Sequence, residues 1–230
     1  MDKSKTWTVF NKIAPSYDLL NRLLSFNIDQ LWRRRLVNAI PFRKGLDVLD
    51  LGTGTGDVAL SIWKLAKSRI ARLVGLDPAI QMLSIASQKT PPSCPVTWVH
   101  GDAQALPFPD HSFDVVTMAF AIRNVPDPDA VLREIRRVLR QDGRALILEF
   151  SLPKSALIRT LYLIYFRKVL PIIGGLISKD RQAYRYLNES VEAFPYGVVF
   201  AEKMSKAGFK TVQFFPLTFG IATLYVGDKQ

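Results

Sequence analysis

From Gly45 onward, short apolar runs alternate with stretches in which apolar side chains return every three or four positions. This is the pattern of strands alternating with helices, and hence of βαβ units around a parallel sheet. It predicts strands near 46–51, 72–77, 95–100, 113–119, 144–150, 210–216 and 221–227, with helices over 55–68, 80–89, 128–139 and about 196–207. The helix after Asp127 is the best marked: Asp127 caps it, Pro128 opens its first turn, and Val131, Ile135 and Val138 face inward. Gly208 suits the end of the later helix. The last two strands, parted by Thr218-Phe219-Gly220, read as a β-hairpin.

Ahead of this repeat, residues 7–40 show helical spacing alone, at Trp7, Phe10, Ile13 and Ala14 and again at Leu31, Leu36, Val37 and Ile40. Pro15 and Pro41 mark breaks or starts. Residues 1–44 therefore form an N-terminal helical element, either a lid over a substrate or a packing extension, set before a main domain of 45–230. A second interruption spans about 151–195. Leu161, Leu163, Ile164, Phe166, Val169, Leu170, Ile172 and Ile173 make it strongly apolar, but Arg159, Arg167, Lys168 and Lys179 cut it. Pro171 and Gly174-Gly175 break it, so it is no membrane span. It reads as an interfacial element or the wall of a greasy pocket, against the plainer reading of an amphipathic core helix.

Composition excludes several classes. Apolar residues at 48% and charged ones at 22% describe a folded globular chain. A single cysteine, Cys94, rules out an internal disulfide, and with only His100 and His111 there is no Cys/His zinc cluster. No metal is expected. The first ten residues are polar and mixed, without a signal segment, which suits a cytoplasmic setting. The net charge of +11 gathers at Arg33-Arg34-Arg35, Arg43-Lys44, Arg133 to Arg140 and Lys154 to Arg185. Such a surplus suits nucleic acid or an anionic membrane face, or else is a solvated surface.

The candidate chemistry centres on Asp50-Leu51-Gly52-Thr53-Gly54-Thr55-Gly56-Asp57. A strand that stops at a glycine turn and restarts as a helix presents bare backbone amides to a ligand. A dinucleotide fingerprint would place a further glycine at Asp57, and a P-loop would carry Gly-Lys-Ser/Thr; neither is present. Glycines at alternate positions after Asp50 instead match the first motif of S-adenosylmethionine methyltransferases. Asp77 closes the second strand, where a carboxylate can accept both ribose hydroxyls of a nucleoside. Asp102-Ala103 follows the third, where a carboxylate can accept from an adenine amine. Each acid alone could be a cap or turn residue. In this order they form one cofactor site of Gly52, Thr53, Gly54, Thr55, Gly56, Asp77, Asp102, Ala103 and Ala119.

After the fourth strand comes Phe120-Ala121-Ile122-Arg123-Asn124-Val125-Pro126 rather than the Asn-Pro-Pro-aromatic element of enzymes that methylate base amines. An Arg-Asn pair suits an oxygen-rich substrate, and the alternative is a structural arginine paired with Asp127 or Glu149. The catalytic reading expects Arg123→Ala to fold near wild type.

The chain resembles the ubiquinone/menaquinone biosynthesis C-methyltransferases. The resemblance rests on Tyr17-Asp18-x-x-Asn21-x-x-Leu24-Ser25-x-x-x-Asp29-x-x-Trp32, on Phe120-x-x-Arg123-Asn124-Val125, and on Arg137-Val138-Leu139-x-x-x-Gly143-x-Ala145-x-x-Leu148-Glu149-x-Ser151. Tyr186-Leu187-x-x-Ser190-x-x-x-Phe194-Pro195 and Ala207-Gly208-Phe209 are similar too. The departures are Asp29 for a histidine, Leu20 for a methionine, Arg140-Gln141-Asp142-Gly143 for Lys-Pro-Gly-Gly, Ala119 for a serine and Ala121 for a glycine. The resemblance implies a class I, Rossmann-like α/β methyltransferase fold with a seven-stranded, mostly parallel sheet and a terminal hairpin. It implies S-adenosylmethionine as methyl donor and a prenylated quinol as acceptor, with demethylnaphthoquinol preferred to a benzoquinol. Arg123 would then stabilise an oxyanion, with Asn124 and Tyr17 positioning the oxygen. The expected setting is the inner face of the cell membrane, with an anionic lipid surface and a second copy of the chain as partners and nucleic acid unlikely. The rivals are a nucleic-acid methyltransferase and a non-catalytic cofactor-binding subunit.

Overall fold

The computed structural model describes residues 6–169 and 181–230. The strands are β1 (Leu46–Leu51), β2 (Ile70–Asp77), β3 (Val96–His100), β4 (Phe113–Ala119), β5 (Leu139–Phe150), β6 (Lys210–Leu217) and β7 (Ala222–Asp228). They form one seven-stranded sheet in the order β3-β2-β1-β4-β5-β7-β6. Strands β1 to β5 run parallel, and β7 runs antiparallel to both β5 and β6. The expected mostly parallel sheet and closing hairpin are therefore present. Strand order reverses between β1 and β4, which makes their carboxyl ends the place for a ligand.

Among the described residues the helices are α1 (Thr6–Leu24), α2 (Ile28–Asn38), α3 (Asp57–Ala66), α4 (Ile80–Lys89), α5 (Pro128–Val138), α6 (Ala156–Ile164), α7 (Arg181–Ala193) and α8 (Val198–Lys206). They cover both faces of the sheet. Along β1, Leu46 and Val48 join a core with α2 and α3, while Leu49 and Leu51 join a second core with α5 and α8. This two-sided burial explains why β1 and β4 are dense in apolar residues. Helix α5 starts as expected, with Asp127 Oδ1 accepting from the amides of Asp129 (2.9 Å) and Ala130 (3.0 Å).

Three local expectations change. Strand β5 begins at Leu139, because Leu139 already pairs with Phe113 before an irregular stretch brings Arg144 beside Val115. Helix α3 begins at Asp57, since Gly56 is left-handed at φ 81° and cannot be a helical position. Pro15 is no break: it lies inside α1. An interior proline costs about 3 kcal/mol, and the packing of Ala14, Phe10 and Tyr17 on Ala79 and Met82 offsets it.

After β5 come α6 and a π-helical turn, Tyr165–Val169. Leu170, Pro171, Ile172, Ile173, Gly174, Gly175 and Lys179 lie outside the described residues. Among those described, no helix is long and apolar enough to cross a membrane.

Candidate functional site

Two cavities open at the carboxyl ends of β1, β2 and β4. The smaller, of about 200 Å³, is lined by Gly52, Gly54, Asp77, Asp102, Ala103 and Ala119, together with Met82 and Val125. Six of the nine expected cofactor residues thus share one cleft. Thr53 and Thr55 turn elsewhere. Thr53 Oγ1 donates to Asp50 (2.6 Å) and Thr55 Oγ1 to Asp18 (2.6 Å), so both brace the loop and line only a narrow cleft beside it. Gly56 lines none of these spaces: a side chain there would meet Trp98 at 2.7 Å, so packing and the helix cap require glycine.

The loop backbone is held from below. Asp50 is buried and accepts from Thr53 and from Thr117 Oγ1 (2.6 Å), tying the end of β1 to β4. Asp77 accepts from the amides of Gly54 and Ala79, both at 2.8 Å, one on each carboxylate oxygen. Each oxygen has a lone pair left for a ligand hydroxyl. Burial pushes both Asp50 and Asp77 up to about 6, against the pull of these hydrogen bonds. Gly54 faces open space, since a side chain there would meet nothing within 4 Å, whereas one on Gly52 would strike Ala121 at 2.5 Å. Bare backbone, an oriented carboxylate and apolar Ala79 and Met82 fit a nucleoside with vicinal hydroxyls.

The larger cavity, about 350 Å³, is walled mainly by apolar and aromatic side chains, including Phe10, Trp32, Phe120, Phe150 and Leu161. It meets the smaller one at Phe10, Tyr17, Phe120 and Asn124, which line both. Phe120 is left-handed (φ 57°), an uncommon state for a bulky residue. Its carbonyl accepts from Arg123 Nη1 (2.6 Å) and Asn124 Nδ2 (3.3 Å). Asn124 Oδ1 accepts from Tyr186 (3.3 Å). Burial raises the pKa of Tyr17 against the opposing effects of Asn21, Arg33 and Arg123, so its phenol stays protonated at neutral pH.

Arg123 answers both of its sequence readings. Its Nη1 pairs with Glu149 Oε1 at 2.7 Å, not with Asp127, and the guanidinium stacks on Phe150 at 5.2 Å. Yet its Nε is buried without a partner. The expectation that Arg123→Ala folds normally is therefore corrected: it would strand a fully buried Glu149, a loss of about 3–5 kcal/mol. Burial raises the Glu149 pKa, and Arg123 opposes that rise.

Around the loop, α1 and α2 are tied down by charge. Asp57 receives Arg22 and Lys89, each at 2.6 Å, and Lys89 also reaches Asp18 at 2.6 Å. Asp29 pairs with Arg22 and, at 3.3 Å, with Arg33. Burial would raise Asp57, but Arg33, Lys89 and Arg22 together hold it below the usual carboxylate range. The family histidine position is thus filled here by a buried, doubly paired carboxylate, the only one lining the larger cavity among the described residues.

The decisive comparison is with whole chains. Residues 1–229 match the profile of the ubiE/COQ5 methyltransferase family. The chain belongs to this family. It is 47% identical to a ubiquinone/menaquinone biosynthesis C-methyltransferase of Geotalea uraniireducens, over 98% of this chain and 96% of the relative. It is 48% identical to a demethylmenaquinone methyltransferase of Thermus thermophilus, over 96% of this chain and 100% of the relative. A solved SAM-dependent methyltransferase of Thermotoga maritima shares the fold, with a TM-score of 0.68 at 21% identity over 98% of this chain and 100% of its own.

As a carboxylate Asp77 is the stronger acceptor for a ligand hydroxyl, and burial pushes its pKa up to about 6. Affinity for S-adenosylmethionine should be flat above that pH and weaken below it, because protonation removes the charge that strengthens the hydrogen bond. Calorimetric titration across this range should show that trend in wild type. Asp77→Ala should bind about tenfold or more weakly at neutral pH, the scale of a lost charge-assisted hydrogen bond. Unchanged affinity would remove Asp77 from the site.

Proposed function

We propose that this methyltransferase moves the methyl group of S-adenosylmethionine to a ring carbon of a prenylated quinol, converting demethylmenaquinol to menaquinol. One observation carries the reading: an apolar cavity joins the nucleoside-shaped one, and its wall holds the buried, unpartnered Arg123 Nε. The names of the relatives, quinone C-methyltransferases and demethylmenaquinone methyltransferases, support the same substrate. A nucleic acid fits poorly, since Asn124-Val125-Pro126 replaces the base-stacking element and the larger cavity is greasy.

S-adenosylmethionine, when bound, supplies an electrophilic methyl group. A ring carbon becomes nucleophilic as the neighbouring hydroxyl loses its proton, so the reduced ring is the substrate. Arg123 offers its free N–H and its charge to that oxygen as negative charge develops. Asn124 and Tyr17, at the junction of the cavities, orient the ring toward the cofactor side. Arginine cannot take the proton at neutral pH; it passes to Asp29 or to water that Asp29 orders. Helices α1 and α2 act as the lid, clamped by Arg22, Arg33 and Lys89, and the segment after β5 forms the far wall.

A long prenyl tail keeps such a quinol in the bilayer, so the mouth of the cavity must meet the membrane. Phe26 and Leu161 line the cavity yet are 75% and 59% exposed, and the ring of Phe26 lies 6.4 Å from that of Tyr165. Leu19, Leu23, Leu157 and Ile164 add exposed apolar surface. The basic side chains nearby do not all contribute. Arg167 pairs with Glu192, while Lys154 and Lys168 are exposed. Attraction of about 1 kcal/mol per free basic residue gives reversible docking on an anionic leaflet.

Arg123→Lys keeps the buried charge and removes the guanidinium fork. Its turnover should fall about 10²-fold, the scale of a lost oxyanion donor, with cofactor affinity near wild type. Arg123→Ala should lose thermal stability as well, and wild-type turnover in Arg123→Lys would refute the role. For docking, sedimentation with anionic vesicles should exceed that with neutral ones and fall with salt, and Lys168→Gln with Leu161→Ser should weaken it. Equal binding to both vesicles, or none, would contradict the membrane site.

A further inference from the structure

Arg123 Nε is not the only orphan in the apolar cavity. Tyr162, on α6, lines the same space, and its hydroxyl is shut off from solvent without a hydrogen bond. Its ring is fixed by stacking on Phe166, with centroids 5.0 Å apart at 21°. Neighbouring polar groups of the lining are committed: Trp32 Nε1 donates to Thr218 (2.8 Å), Tyr186 to Asn124 (3.3 Å), and Asp29 is paired twice. A buried hydroxyl with no partner destabilises a fold, and phenylalanine would fill this position without that penalty. A third buried orphan, Asn188 Oδ1, does not line the cavity.

We propose that Tyr162 binds the second oxygen of the substrate ring. This rests on the function proposed above: a quinol carries two oxygens on opposite sides of the ring, and two residues with orphaned polar groups line one otherwise greasy space. Asn124 lines both cavities and Arg123 follows the same strand end, so they take the oxygen beside the carbon to be methylated. Tyr162 lines only the larger cavity and takes the far oxygen. Burial raises its pKa, so it stays a hydroxyl, able to donate to the substrate oxygen or accept its proton. Tyr162 therefore selects a para-dioxygenated ring and sets which carbon meets the methyl donor.

Steady-state kinetics would compare wild type and Tyr162→Phe on two short-tailed acceptors. One is the demethylated naphthoquinol, and the other is the mono-ol lacking the oxygen remote from the methylated carbon. Wild type should favour the diol by about tenfold in kcat/KM, the worth of one buried hydrogen bond. Tyr162→Phe should lose that preference by slowing on the diol alone, with cofactor affinity unchanged and thermal stability equal or higher. An undiminished preference in Tyr162→Phe, or equal losses on both acceptors, would overturn the assignment. A wild-type protein inert toward both acceptors would overturn the proposed function, and this inference with it.

Discussion

The site depends on one backbone turn. At Phe120 the chain leaves β4 with its amide still bonded to Leu148 O at 2.7 Å, then adopts a left-handed φ of 57°. A bulky residue in that state is strained by about 1–3 kcal/mol. The strain is held in place by what it makes possible. The Phe120 carbonyl points back to accept from Arg123 and Asn124, and its ring packs 4.5 Å from Phe150 and 6.0 Å from Trp32. That single turn puts an aromatic ring and an amide at the junction of the two cavities and a guanidinium in the wall of the larger one.

Electrostatics then divides the labour. Below the cofactor loop, Asp50 and Asp77 are uncharged partners' acceptors, satisfied by hydroxyls and amides and lifted by burial toward pH 6. Above it, Asp18, Asp29 and Asp57 are matched by Arg22, Arg33 and Lys89, which fasten α1 and α2 across the site. The first set braces the loop and leaves Asp77 acceptor capacity facing the smaller cavity, and the second holds the proposed lid. Among the described residues three buried polar side-chain atoms lack partners, and two of them, Arg123 Nε and the Tyr162 hydroxyl, belong to residues that line the greasy cavity.

Much of this was legible because strand ends are set by local pattern. Gly52, Gly54, Asp77, Asp102, Ala103 and Ala119 fall into one cleft once the βα units are recognised, and the mostly parallel sheet with its closing hairpin follows from the same pattern. What escaped depends on which strands lie side by side. The pair of Arg123 with Glu149 is one of two alternatives open in the sequence, and the pairing of β4 with β5 decides for Glu149 over Asp127. Asp50 reaches Thr117 for the same reason, across β1 and β4. The clamp on α1 joins residues far apart in sequence, and Pro15 misled because tertiary packing overrode a local preference. Tyr162 had no sequence signal at all: its meaning lies in a hydrogen bond that is missing.

The central claim is that a reduced quinone ring sits against the methyl donor at the Phe120 turn. Incubation with methyl-deuterated S-adenosylmethionine and short-tailed demethylnaphthoquinone, with and without a chemical reductant, followed by mass spectrometry of the ring, tests it most directly. The account predicts one labelled methyl group on a ring carbon in the reduced sample and none in the oxidised one. Label on oxygen, label independent of reduction, or no label at all would contradict it.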